Sequence, residues 1–171
     1  MKWLLVIGGI FILAALAVLI VGLCQPVKHS VTRSIYLKQT PGSVFAMLDN
    51  MADAPNWAST VLKVEPLPSQ DGKAVARYTL NWGGMKMIMT QLERTPPTRL
   101  VTGMAAEGGP AFGTWTYQIG AENGGCRVTL TEDGELNNPF YRAVSLMRSK
   151  DANITQTLRD LLKKFGENAN L

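Results

Sequence analysis

The sequence predicts an α+β chain: one membrane-spanning helix, then a single domain. In that domain a curved antiparallel sheet of about seven strands carries two short helices near its start and one long helix at its end. Three observations predict it. The run "WLLVIGGIFILAALAVLIVGL" from Trp3 to Leu23 has no charged residue. The middle of the chain alternates apolar and polar residues between turn signals, and the last part steps its apolar residues by threes and fours.

As a helix, the first run covers about the 30 Å hydrocarbon core of a bilayer. A cleaved signal peptide fits less well, because its apolar region usually has about 7 to 15 residues and Gly22-Leu23-Cys24 is a poor small-x-small exit. A lipoprotein reading of Cys24 meets Leu23 where a small residue normally precedes the acylated cysteine. The expected organisation is an anchor over 1–24, a link over 25–30, the domain over 31–167 and a tail over 168–171. Lys28, Arg33 and Lys38 after the run outnumber Lys2 before it, which counts towards a cytoplasmic domain. The short Met-Lys start looks instead like an export signal, and an exported domain is the expectation adopted.

After the link, "SVTRSIYLK" sets Val31, Arg33, Ile35 and Leu37 against Thr32, Ser34, Tyr36 and Lys38, a strand with β-branched enrichment. Thr40-Pro41 then supplies an N-cap followed by proline at the first helical position. Val44, Phe45 and Leu48 fall at helical spacing. Asp49 and Asp53, four apart, would share a face on one continuous helix, but Pro55 biases Ala54 away from helical dihedrals. The two carboxylates therefore belong to different elements, Asp49 closing one and Asp53 starting the next.

From Val61 the period changes. "TVLKVEPL", "AVARYTLNW", "MKMIMTQLE", "RLVTGMAA", "GTWTYQIGA" and "CRVTLTEDG" are separated by Asp71-Gly72, Gly83-Gly84, Pro96-Pro97, Glu107 to Pro110 and Asn123-Gly124-Gly125, which reads as an antiparallel meander. Asn138-Pro139 then opens a helix whose stripe runs Phe140, Val144, Met147, Ile154, Leu158, Leu161 and Phe165, interrupted only at Asp151. The concave face of the sheet is the partner that stripe requires.

Composition excludes several function classes. The formal net charge of +4 is spread along the chain, with no Lys/Arg cluster of the kind that marks a nucleic-acid footprint. The two cysteines, Cys24 and Cys126, make no metal spacing. The single histidine, His29, sits in the expected link, where a solvated role is the plain reading; alone it builds neither a Ser-His-Asp arrangement nor a multi-histidine metal site. No Walker-type loop or dinucleotide fingerprint occurs, so no metal and no cofactor is expected.

The order strand, two short helices, six-strand meander and long helix is that of the helix-grip fold. "VTRSIYLKQTPGSVFAMLDNMADAPNW" and "VLKVEPL" resemble the opening strand, Pro-containing turn, Val-Phe helix, Pro-x-Trp and second strand of the START-like superfamily. That superfamily is also called SRPBCC or Bet v 1-like, and the likeness is to its polyketide cyclase/dehydrase-like branch in particular. It covers about Val31 to Phe165. By this resemblance Trp57 matches a tryptophan near the cavity mouth and Asp49 an acidic position ending the first helix. Single anchors before such domains resemble those of bacterial members, which implies a single-pass protein of the bacterial inner membrane; the export-like start is what sets the domain on the periplasmic side as the expectation. The superfamily spans lipid carriers, cyclases and hydrolase-like enzymes, so the fold alone assigns no activity.

The inward parity of the meander is more specific. Tyr78, Leu80 and Trp82 share one face, as do Met85, Met87 and Met89, then Trp115, Tyr117 and Ile119, then Cys126, Val128 and Leu130. Flexible, polarisable methionines beside aromatics suit an apolar ligand of loose shape, and they equally suit a filled core. The expected cavity residues are Trp57, Tyr78, Trp82, Met87, Met89, Trp115, Tyr117, Phe140, Met147 and Asp151. Asp151 stands out because a carboxylate on a buried stripe must pair, face a wet pocket or mark a helix break; the break is preferred, with Arg148 and Lys150 nearby.

The leading expectation is a membrane-anchored binding protein for a hydrophobic small molecule or lipid. The alternative is an enzyme of cyclase or hydrolase type using Asp151 or Glu93 with Tyr78 or Tyr117, although no catalytic residue can be assigned from the sequence. A third is a scaffold with a filled core.

Overall fold

Helix α1 runs from Lys2 to Cys24 and is followed by strand β1, Lys28–Leu37. Helix α2, Pro41–Asp49, and a 3-10 helix, Met51–Asn56, precede six strands: β2 Val61–Gln70, β3 Lys73–Leu80, β4 Lys86–Thr95, β5 Arg99–Ala106, β6 Ala111–Glu122 and β7 Gly125–Leu136. Two helices, α3 Pro139–Ser145 and α4 Ala152–Lys164, close the chain. The computed structural model describes residues 2–109, 111–147 and 149–168. Arg148, weighed above as a neighbour of Asp151, Pro110 of the expected turn and the last three residues of the expected tail lie outside the described residues.

The strands form one antiparallel sheet in the order β1-β7-β6-β5-β4-β3-β2. Two hairpins show the local cause. Asp71-Gly72 and Asn123-Gly124 adopt positive φ at both central positions, 50° and 73° in the first and 47° and 80° in the second. That geometry matches the right-handed strand twist, and Asp-Gly and Asn-Gly reach it at small cost. Pro66 is tolerated because β2 is an edge strand.

Helix α2 starts as its sequence requires. The Thr40 hydroxyl accepts the Ser43 N–H at 3.2 Å, and Pro41 takes the first helical position. Val44, Phe45 and Leu48 then point into the core, each contributing about 1.5–3 kcal/mol by burial. Pro55 sits inside the 3-10 helix, so no α-helix joins Asp49 to Asp53. Asp49 closes α2 and accepts from Arg94 Nε at 2.7 Å, tying the helix end to β4. Asp53 lies within the 3-10 helix rather than starting or capping it, and accepts from Asn56 at 2.6 Å.

Two boundaries differ from the sequence reading. Strand β1 begins at Lys28, inside the stretch read as a link over 25–30, because it pairs with β7 as far as Lys28 opposite Glu135. The long C-terminal helix is two helices. The first ends at Ser145 and the second begins at Ala152, with Asp151 at its N-cap position.

Helix α4 supplies the core. Its Ile154, Leu158 and Leu161 are fully buried against Ile35 and Leu37 of β1, Val128 and Leu130 of β7, and the apolar face of α2. Asp160 on the same helix is buried too, yet it accepts the Ser59 N–H at 2.7 Å, the Ser59 hydroxyl at 2.8 Å and Gln156 Nε2 at 2.9 Å. A buried carboxylate so satisfied staples α4 to the loop before β2.

Candidate functional site

Helix α4 packs over β1 and β7 and α2 over β6 and β5, while the 3-10 helix and the loop behind it lie over the β2 and β3 side. The space so left is a cavity of about 300 Å³ with a mainly apolar wall. Strand parity supplies that wall. Tyr78 and Leu80 of β3, Met87 and Met89 of β4, Met104 of β5, and Trp115 and Tyr117 of β6 all line it. Ala54, Trp57 and Ala58 form the roof, and Val61 joins them in a small buried cluster that packs on Tyr78 and Leu80.

Seven of the ten expected residues line this cavity: Trp57, Tyr78, Trp82, Met87, Met89, Trp115 and Tyr117. The other three do not. Phe140 and Met147 are exposed, because α3 leaves the sheet where the helix breaks. Asp151 lies in a polar surface cleft with Arg33, Ser59, Asn81 and Gln156, where Arg33 Nε donates to it at 2.9 Å. The Ser149 hydroxyl and then the Arg33 guanidinium hold its carboxyl below the ordinary aspartate value. Glu93 is also outside the cavity: a register shift between Gln91 and Glu93 displaces it, and it accepts from Arg99 Nε at 2.9 Å on the surface. Neither acid proposed for the enzyme reading reaches the cavity wall.

Two residues that the sequence reading missed do reach it. Glu132 continues the inward parity of Val128 and Leu130 on β7 and is buried. Its Oε2 accepts from Trp115 Nε1 at 2.9 Å, and its Oε1 lies 3.3 Å from His29 Nε2. His29 is on β1 opposite Gly134, and its ring lies across that glycine: a Cβ there would collide with His29 Cε1. Continuing the β7 parity one step past Leu130 is the signal that finds Glu132. The signal for His29 is the strand reaching back to Lys28.

The cavity is thus apolar with one polar end. The Tyr78 hydroxyl donates to the Met51 carbonyl at 3.1 Å, which fixes the ring beneath the 3-10 helix. Trp115 and Tyr117 meet edge to face, with ring centroids 6.4 Å apart and planes at 78°. Burial pushes the Tyr117 phenol far above its usual range, and the neighbouring Tyr78 and Glu132 push it further the same way, so it stays protonated as a donor. Burial alone does the same for Tyr78. Among the described residues, no three of His, Cys, Asp and Glu gather as metal ligands.

This architecture has relatives. Residues 28–166 match the family model described as polyketide cyclase / dehydrase and lipid transport. The chain belongs to that family. Its fold is the START-like, helix-grip one, shared with solved structures at low sequence identity. The Zhui aromatase/cyclase from Streptomyces sp. R1128 superposes with a TM-score of 0.69 at 13% identity, over 81% of this chain and 94% of that one. A Thermus thermophilus protein gives 0.64 at 16% identity, over 80% and 97% of the two chains. A protein from Rhizobium leguminosarum gives 0.61 at 15%, over 81% and 95%. Among curated proteins no sequence match is found. Polyketide cyclase/dehydrase membership fits a cavity-containing binding or cyclase role, and α1 is long and apolar enough to cross a membrane.

Proposed function

We propose that the protein binds a hydrophobic small molecule or lipid in this cavity while α1 anchors it in a bilayer. The observation that carries the reading is the wall itself: methionines and aromatics on the adjacent strands β3 to β6, with Glu132 as one fixed polar end. Flexible methionines accept several apolar shapes, and the carboxylate orients whichever end of the ligand carries a donor. Tethering adds a common purpose, since a lipidic ligand is concentrated where the anchor holds the pocket. The anchor over 1–24 and the binding domain over 31–167, in a bacterial inner membrane with the domain exported, complete the proposal. Native mass spectrometry of the full chain extracted in mild detergent should show a retained apolar mass that Met89→Trp removes by filling the cavity. A chain with no retained mass, and no stabilisation by added fatty alcohols or quinones, overturns it.

A specific observation favours a second reading, proton transfer on a bound substrate. Glu132 beside His29 is an acid–base pair, and Tyr117 is a protonated donor in the same apolar cavity. The acids are thus different from those the sequence suggested. Solvent-deuterium exchange into an aryl ketone probe, dependent on Glu132, is the measurement that supports it; wild-type exchange no faster than Glu132→Gln removes it.

A further inference from the structure

We infer that α3, together with Met85 and Phe112 on neighbouring turns of the sheet, is a second membrane contact that lies in the bilayer interface and holds the open end of the cavity against lipid. The inference rests on the reading of α1 as an anchor. It adds where the domain sits and which surface touches the membrane.

The tether is short. Only Gln25, Pro26 and Val27 separate α1 from β1, so Lys28 lies at most about 14 Å from the end of α1 along an extended chain. The link is also fixed, because the Leu136 N–H donates to the Val27 carbonyl at 2.9 Å. Helix α1 then packs against α3. At their contact Gly22 is buried, and a Cβ on it would collide with the Pro139 carbonyl oxygen. Arg142, the buried face of α3, donates from Nη1 to the Gln25 carbonyl at 3.3 Å. Helix α3 is therefore bound to the end of α1, at the depth where a spanning helix leaves the hydrocarbon.

The rest of α3 and the turn behind it are apolar and uncovered: Phe140 is 56% exposed, Tyr141 52%, Val144 46%, Leu146 48% and Met147 87%. A contiguous patch of this kind in a monomer marks an interaction surface. Its place beside the anchor selects the occupant, the bilayer that holds α1. Aromatic residues are enriched at that depth, and an interfacial helix buries its apolar face about 5–10 Å into the headgroup boundary. The same end of the sheet carries the opening of the cavity. Lys28 pairs with Glu135, Phe112 with Glu135, and Met87 with Ala106, so the anchor end of the sheet includes the turns bearing Phe112 and Met85, both of which line the cavity and are exposed. Lys28 and Glu135 form an ion pair at 3.8 Å, so both signs of charge stand at this end and the contact is apolar. Neutral phosphatidylcholine is a sufficient partner.

The full chain, with Cys24→Ser to remove the exposed thiol, is placed in phosphatidylcholine vesicles with one spin label at a time. The labelled positions are Leu13→Cys in α1, Val144→Cys and Met147→Cys at α3, and Asp71→Cys at the far end of the sheet. Collision with oxygen relative to a water-soluble nickel chelate reports depth. The expected result is Leu13 deepest, Val144 and Met147 several-fold more lipid-accessible than Asp71, and no change in high salt. Deep Leu13 with Val144 and Met147 as aqueous as Asp71 overturns the inference and keeps the anchor. Aqueous Leu13 overturns the anchor reading and the inference with it. Val144 and Met147 shielded from both reagents would mean that protein covers α3, and that also overturns it. All four positions are exposed, so the labels test contact rather than folding.

Discussion

Helices α3 and α4 carry the same kind of apolar stripe and meet opposite fates. On α4, Ile154, Leu158 and Leu161 are sealed against the sheet; on α3, Phe140 and Val144 stand in the open beside α1. Between them α3 ends at Ser145, and Asp151, just before α4, pairs with Arg33 of β1 instead of continuing the stripe inward. The difference teaches that periodicity states that a face needs an apolar surrounding, and leaves open whether protein or lipid supplies it.

The largest effect that would break this contrast comes from truncating both stripes. Leu158→Ala should lower stability by about 2–5 kcal/mol, because it leaves a cavity among fully buried neighbours. Val144→Ala should change it by less than about 0.5 kcal/mol, as for an exposed site. Urea titration of the full chain in mild detergent, followed by far-UV circular dichroism, compares the two directly. Equal losses would mean that α3 is core after all.

Next is the polar staple of α4. Asp160→Ala removes the charged acceptor of the Ser59 N–H and hydroxyl, and should cost about 1–3 kcal/mol in the same titration. An unchanged midpoint would show that α4 is held by its apolar face alone.

A smaller effect tests the polar end of the cavity. Gly134→Ala puts a methyl where the His29 ring lies, so the ring must swing away from Glu132. The expected stability loss is about 1 kcal/mol or less, in the range of ordinary point changes, with a greater loss in retention of a hydroxyl-bearing apolar probe. Removing the ring in His29→Ala/Gly134→Ala should restore the stability and leave the retention low. Recovery of both would assign His29 to packing only.

These contrasts also explain what was legible in the sequence. Sheet, helix starts and hairpins follow from local chemistry, such as Thr40-Pro41 at α2 and Asn123-Gly124 between β6 and β7, and local chemistry is written locally. Tyr78, Met87, Met89, Trp115 and Tyr117 reach the cavity because strand parity carries over residue by residue. Phe140 and Met147 fail because helical periodicity cannot be extended across a break, and the partner that takes Asp151 off the stripe, Arg33, lies over a hundred residues away in the chain. Glu132 was hidden for a related reason: a carboxylate on an inward position looks like the end of a strand until Trp115 and His29 are seen to satisfy it.

The smallest effect concerns the break itself and gives it a pH signature. Ser149 and Arg33 hold the Asp151 carboxyl below its ordinary value in the folded chain. A group depressed in this way binds more protons when unfolded. Its stabilising contribution is therefore complete above the ordinary aspartate range near about 4 and is lost as pH falls through the lower folded value. The Asp151→Asn chain should be slightly less stable than wild type at about pH 7, and the gap should close towards about pH 3. Added salt should narrow it at neutral pH, since the pair is partly solvated. If the gap is the same at both pH values, the Arg33 pair does not act through charge, and the turn geometry around Ser149 and Asp151 is what separates α3 from α4.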